Sequence, residues 1–349
     1  MSNGQSPPPQ QPIIIKQGGG WFLRIVAFLG WMGLMFAGLI IIVQLAATAQ
    51  YFNEIDGVTE KFYSGDKLAD DKIALIRVEG LIMQGEGYIR NQIDLAKKDK
   101  KVKAIVLRVD SPGGSVSASD YIYHHLNELR EDREIPLVVS MGSSATSGGY
   151  YVAMAVGDQK DVIFAEPTTI TGSIGVIIPH YDVSGLMSEY HIKDDSIASH
   201  PRKQMLSMTR EMPEEQRELV QGLVNDMFTR FKDVVKTGRP VYVEDPEKLD
   251  KLATGEIYMA DQAVELGLVD KIGFVEEAIE RAAELAKIDV KKTRVVAYTK
   301  PTSLFSLGNA TAANPTESLM KGMLNATTPK AYYLDSSMPA ITAGLTAAQ

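Results

Sequence analysis

Ile25 to Asn53 is a run of 29 residues without one charged side chain, and it limits this chain more than any other feature. Ile25 to Leu45 alone gives 21 of them, and about 20 helical residues cross a bilayer core. Lys16 and Arg24 precede the run, the first fifty residues hold no Asp or Glu, and Glu54 and Asp56 follow. The positive-inside rule then predicts a single-pass anchor in an inner or plasma membrane. The N-terminus would lie in the cytoplasm, and everything after residue 50 on the outer, periplasmic or extracellular, face. Trp21 is placed to mark an interface. A cleavable signal peptide is the competing reading, because Ala47-Thr48-Ala49 has the A-x-A form. The apolar run, however, far exceeds a secretory h-region of about 7–15 residues. A buried core helix is a third reading, for which 21 uncharged residues is long.

The rest of the chain has another character. Over all 349 residues, 45% hydrophobic and 23% charged is the composition of a globular protein, which excludes collagen, coiled coil and wholesale disorder. A mean hydropathy of −0.07 argues against a polytopic membrane protein. A net charge of −8 lacks the footprint of a nucleic-acid binder. The absence of cysteine removes disulfides, thiolate metal sites and a cysteine nucleophile together.

Hydrophobic patterning predicts strands over 71–80, 104–109, 137–139 and 162–165. Helices are predicted over 89–98 and 117–130, with a short one after Ser147. Strands alternating with helices imply an α/β domain around a largely parallel sheet. Pro213, followed by Glu214, Glu215 and Glu218, opens a long helix that Gly238 ends. Its stripe of Val220, Val224, Met227, Phe228, Phe231, Val234 and Val235 reads as core or subunit contact. Two further helices are predicted over 260–266 and 275–285.

Three stretches carry chemistry. Asp110-Ser111-Pro112-Gly113-Gly114-Ser115 follows a buried strand, and its paired glycines let backbone N–H groups approach a ligand. No Lys-Ser or Lys-Thr follows, so it is not a phosphate loop. Met141 to Tyr151 (MGSSATSGGYY) places Ser147 at the start of a helix, without the G-x-S-x-G elbow. Ile170 to Val176 (ITGSIGV) is the third. Taken singly, each is compatible with an ordinary turn.

Together, in this order, they resemble the signal peptide peptidase A family, membrane-anchored serine peptidases on a ClpP/crotonase-like α/β fold. Gly255-Glu256-Ile257-Tyr258 and Gln262 to Asp270 (QAVELGLVD) strengthen the resemblance, which covers about residues 70–285 of the short, single-repeat form. It implies Ser147 as nucleophile, Lys203 as base with Lys193 as competitor, and Ser173 orienting the lysine amine. Gly113, Gly114 and Gly148 become candidates for the oxyanion and substrate-binding groups. No metal or cofactor is implied, and the five histidines are not needed. His124-His125 reads as surface or packing, with no zinc-like spacing around it.

The implied partners are apolar peptides left in the membrane after secretory processing, and further copies of the chain in a homo-oligomer. The expected organisation is a disordered tail (1–20), an anchor (21–49), a linker (50–70), a Ser–Lys peptidase domain (71–290) and a partly flexible C-terminal extension (291–349). Residues 331–349 contain one charge, Asp335, and otherwise have the composition of a substrate, so this tail is expected to visit the groove. Two other classes remain open: a crotonase-type acyl-CoA enzyme and a non-catalytic membrane scaffold.

Overall fold

The computed structural model describes residues 20–53, 58–300 and 332–334. The expected disordered tail (1–20), except Gly20, which belongs to the first helix, and most of the C-terminal extension lie outside them. Two units are separate in the chain, 1–54 and 55–349. The first contains α1, Gly20–Asn53. Over Gly20–Gln44 its mean hydropathy is 2.5, long and apolar enough to cross a membrane, a test that an N-terminal signal sequence also passes.

The second unit is an α/β body. It opens with β1 (Thr59–Gly65), β2 (Lys72–Glu79), α2 (Tyr88–Lys98) and β3 (Val102–Ser111). β4 (Gly113–Ser115), α3 (Val116–Arg133), β5 (Leu137–Thr146) and α4 (Gly148–Ala153) follow. Next come β6 (Ile163–Ala165), β7 (Ile170–Gly172), α5 (Ser184–Glu189) and the long α6 (Glu214–Gly238). The chain then passes through α7 (Val241–Glu244), α8 (Pro246–Leu252), β8 (Ile257–Met259), α9 (Ala260–Leu266) and β9 (Lys271–Ile272). It closes with α10 (Val275–Leu285), β10 (Arg294–Thr299) and β11 (Tyr332–Leu334).

The main sheet runs β1-β10-β2-β3-β5-β6-β9, with β7 joined to β5 and β8 to β7. Pairings from β10 through β9 are parallel; β1 with β10 and β7 with β8 are antiparallel. β2 and β3 are near-continuous Val/Ile/Leu/Ala runs, and β5 opens as one over Leu137–Val139, because both faces of a central parallel strand are covered. Ile105, Val106, Leu107, Val138 and Val139 are completely buried.

Seven strands went unread in the sequence, of which β1 and β10 are the longest. β1 lies within the stretch taken as a linker, and β10 within the stretch taken as an extension. Neither has strong apolar alternation: β1 (TEKFYSG) is an exposed antiparallel edge, tolerable with charges on it. β10 enters the sheet between β1 and β2, so its Val295, Val296 and Ala297 are buried. Helices α9 and α10 occupy their predicted residues. In α6 only Phe231, Val234, Val235 and Gly238 are buried; Leu219 and Leu223, nearer its start, stay exposed.

Candidate active site

The three motifs meet at the C-terminal ends of β3 and β5, where open parallel sheets place their ligand sites. β5 pairs with β7, setting Thr146 beside Gly172, and the Ser147 N–H donates to the Gly172 carbonyl at 2.8 Å. That bond ties the SGGYY segment to the TGS segment. Ser147 has φ 54° and ψ −115°, a conformation rare for a residue with a Cβ, and it caps α4. Ser173, next to Gly172, also has a positive φ, 52°. Both serines are buried, and the Ser147 hydroxyl has no hydrogen-bond partner. A buried hydroxyl left unpaired costs about 1–3 kcal/mol, so such a group points to function rather than packing.

Each neighbour of Ser147 has a structural reason. A Cβ on Gly148 would lie 2.5 Å from Ser119 Oγ and 3.1 Å from both Gly113 Cα and Gly114 N. A Cβ on Gly149 would lie 2.6 Å from the Ser111 carbonyl oxygen. Only glycines let α4 approach the Gly113-Gly114 turn this closely. The Tyr150 hydroxyl donates to the Leu268 carbonyl at 2.8 Å, and burial pushes the phenol above its ordinary range, so it remains a neutral donor. The Tyr151 hydroxyl donates to Asp120 Oδ1 at 2.5 Å.

The second glycine pair is oriented by β4. Gly113 has φ 96° and its N–H donates to Ser111 Oγ at 3.1 Å, so that N–H is already engaged. The Gly113 carbonyl accepts from the Ile82 N–H, and the Ser115 N–H donates to the Ile82 carbonyl. Strand alternation leaves the Gly114 N–H and C=O on the opposite edge. β11 lies on that edge, antiparallel, with Tyr333 opposite Gly114 and Leu334 opposite Gly113.

Asp110, Ser119 and the GEIY segment support the site in ways the residue pattern did not reveal. Asp110 Oδ1 accepts from Ser143 Oγ at 2.6 Å and from the Ser144 N–H at 3.1 Å, fixing the loop before the nucleophile. Asp110 belongs to a motif already singled out, so its position was a usable signal; Ser119, inside a helix, had none. β8 pairs with β7, and the Ser173 N–H donates to the Glu256 carbonyl at 2.6 Å. The QAVELGLVD segment is scaffold. Asp270 accepts from the Val162 and Ile163 N–H groups and pairs with Arg239 at 2.6 Å.

Lys203 makes no hydrogen bond to Ser147. It lies on a 3₁₀ turn, Pro201–Gln204, and is exposed, as is Lys193. The turn borders a cavity of about 530 Å³, also lined by Asp194, Ile197 and Gln204. Within one chain no hydrogen bond joins Lys203 to Ser147 Oγ. Ser147, Ser173, Gly113, Gly114 and Gly148 therefore come together, and the two lysines do not join them.

One cluster departs from the sequence reading. His124, His125 and Glu128 each offer a ligand atom within 4.8 Å of the others. His125 Nδ1 lies 2.8 Å from Glu128 Oε2, and Lys97 stands 3.6 Å from Glu128 Oε1. Helix spacing on α3 produces this arrangement, which linear metal-ligand spacing does not display.

Comparison with known proteins identifies the family. Residues 129–289 match the model of peptidase family S49. A Synechocystis protein described as a candidate protease is 37% identical over 233 residues, covering 67% of this chain and 81% of that protein. An Enterococcus faecium protein described as a candidate signal peptide peptidase SppA is 32% identical over 282 residues, covering 74% and 79%. Protease 4 of Salmonella typhi is 38% identical over 224 residues, which cover 62% of this chain and 35% of that longer protein. With strand-end glycines, a strained buried serine and relatives matched over most of their length, this chain belongs to peptidase family S49, the SppA family of serine peptidases.

Proposed function

We propose that the chain is a membrane-anchored endopeptidase that cuts remnant signal peptides and other apolar peptides by a Ser–Lys dyad. The observation that carries this reading is the Ser147 hydroxyl, buried, unpartnered and held at positive φ beside Gly114 and Gly148. A serine needs a base to become a nucleophile, and a lysine can serve only as the neutral amine. In this scheme Lys203 takes the Ser147 proton as the oxygen attacks the scissile carbonyl. The tetrahedral oxyanion is held by the Gly114 and Gly148 N–H groups. The lysine then gives the proton to the leaving amine, and water releases the acyl group by the same route. Ser173 orients the amine, since a hydroxyl both donates and accepts. No metal or cofactor enters these steps. A ClpP/crotonase-like body accommodates the arrangement, with the anchor placing it on the outer side of the membrane.

An exposed Lys203 and a buried Ser147 favour a site completed between copies in a homo-oligomer. Residues 177–197 expose Ile177, Tyr181, Leu186, Tyr190 and Ile197, the last fully, and several large apolar side chains exposed in one segment suit a subunit contact.

Activity on an apolar reporter peptide tests the base. Because only the neutral amine is competent, kcat/KM should rise from acid toward alkaline pH. A profile that stays flat between about pH 5 and 9 in a stable protein would contradict a lysine base.

The groove reading also predicts how peptide binds. β11 adds to the free edge of β4 as a substrate strand would, by main-chain hydrogen bonds. Its Tyr333 carbonyl faces the edge carrying the Gly114 N–H, so the tail bond presented for cleavage is Tyr333–Leu334. Incubated protein should lose residues 334–349, seen by intact mass, and the Ser147→Ala variant should keep them. Equal retention in both would show that the tail is not a substrate.

A further inference from the structure

The loop that carries Lys203 is tied by one ion pair that the dyad scheme leaves unused. Asp194 Oδ2 accepts from Arg210 Nε at 2.9 Å and from Thr209 Oγ1 at 2.6 Å, and Asp194 Oδ1 accepts from the Ser196 N–H at 2.9 Å. The same guanidinium donates through Nη1 to Gln204 Oε1 at 2.6 Å and through Nη2 to the Asp194 carbonyl at 3.2 Å. Arg210 thus joins the two ends of a 17-residue loop to the residue next to Lys203. The Asp194 side chain is 11% exposed, and Asp194 and Lys203 border the same cavity. These bonds, that to Arg210 foremost, hold the Asp194 carboxyl well below the usual range, so it is a permanent anion.

An unneutralised carboxylate beside a general-base lysine is a hazard, since it favours the ammonium, which cannot accept a proton. We propose that Arg210 is a positioning residue for the Lys203 base: by engaging Asp194 and Gln204 it fixes the loop and denies the lysine amine an ion-pair partner. This rests on Lys203 being the base. Other ionisable groups around the turn do not take that role. Arg202 pairs with Glu215 at the start of α6. His200 Nδ1 accepts from the Arg202 N–H at 3.1 Å, and His180 Nε2 lies 3.2 Å from the Ser207 carbonyl oxygen.

The full chain in detergent micelles, with an apolar reporter peptide, gives the test. Arg210→Gln frees Asp194, so the acid limb of kcat/KM should move to higher pH by about half to one unit, with a loss of about three- to tenfold at pH 7 that narrows at alkaline pH. Asp194→Asn leaves an uncompensated guanidinium, so its limb should not move upward. The double variant removes both charges, and its limb should return to the wild-type position. A merely structural role would lower activity equally at every pH. An unmoved limb in Arg210→Gln, or a double variant that keeps the single variant's shift, overturns the proposal. Measuring Lys203→Met in parallel separates the failures: if that variant is active, the dyad assignment itself is wrong.

Discussion

Ser147→Ala and Lys203→Met should each lower peptide cleavage by about 10⁴-fold or more, with unchanged melting behaviour. The magnitude follows from how nucleophile and base act: neither works without the other, so removing either costs nearly as much as removing both. The stability expectation follows from the structure. Ser147 Oγ makes no hydrogen bond whose loss would leave a partner unsatisfied, and Lys203 is exposed. A methionine keeps the length of the lysine stem without its amine. Because no bond joins the two residues within one chain, mixing the two inactive variants should restore part of the activity if neighbouring copies complete each site. A mixture that stays inactive would put both residues of a site in one protomer. Retained activity in Lys203→Met alone would move the base to Lys193 or another group.

Gly148→Ala is the second change with a large expected effect. Its added Cβ would lie 2.5 Å from Ser119 Oγ and 3.1 Å from Gly113 Cα and Gly114 N. Ser119 Oγ donates to the Ser115 carbonyl at 2.9 Å, so its rotation away would cost a hydrogen bond at the start of α3. Movement of Gly113 and Gly114 would shift the N–H proposed to hold the oxyanion. Losing one such donor costs about 10²–10³ in kcat. The variant should therefore fall by that factor in kcat with a smaller change in KM, since ground-state peptide still pairs along β4. A Gly148→Ala/Ser119→Gly double variant relieves the closest contact and should recover part of the loss. Activity unchanged in Gly148→Ala would remove this turn from the oxyanion site.

The main body of the fold was legible because its physics is local. β2, β3 and β6 are short apolar runs, and α9 and α10 have helical spacing between clear boundaries. β5 extends seven residues beyond the predicted 137–139, because Ser140 to Thr146, small except for Met141, owe their strand pairing with β3 and β7 to tertiary contacts. β1 and β10 were hidden for a similar reason: β10 is defined by the two strands it lies between, and β1 by β10 alone.

The site was legible through its glycines. Gly113, Gly114, Gly148 and Gly149 flank two strand ends; side chains at the last three would collide with backbone or with Ser119, and Gly113 has a positive φ. What the residues did not disclose was placement across distance. Nothing near Lys203 in the chain indicates that its side chain is exposed while Ser147 is buried, or that Arg210 fastens its turn to Asp194. Gly113 was expected among the oxyanion donors, but Ser111 Oγ occupies its N–H, so the proposed pair is Gly114 and Gly148.

In the proposed mechanism Ser147 is a nucleophile activated by Lys203. Treating the full-length protein with a fluorophosphonate probe and mapping the adduct by peptide mass spectrometry tests it most directly. The account predicts one adduct, on Ser147, lost in Ser147→Ala and reduced at least tenfold in rate in Lys203→Met, as expected when a nucleophile loses its base. An adduct on another serine, or labelling of Ser147 at the wild-type rate without Lys203, would contradict it.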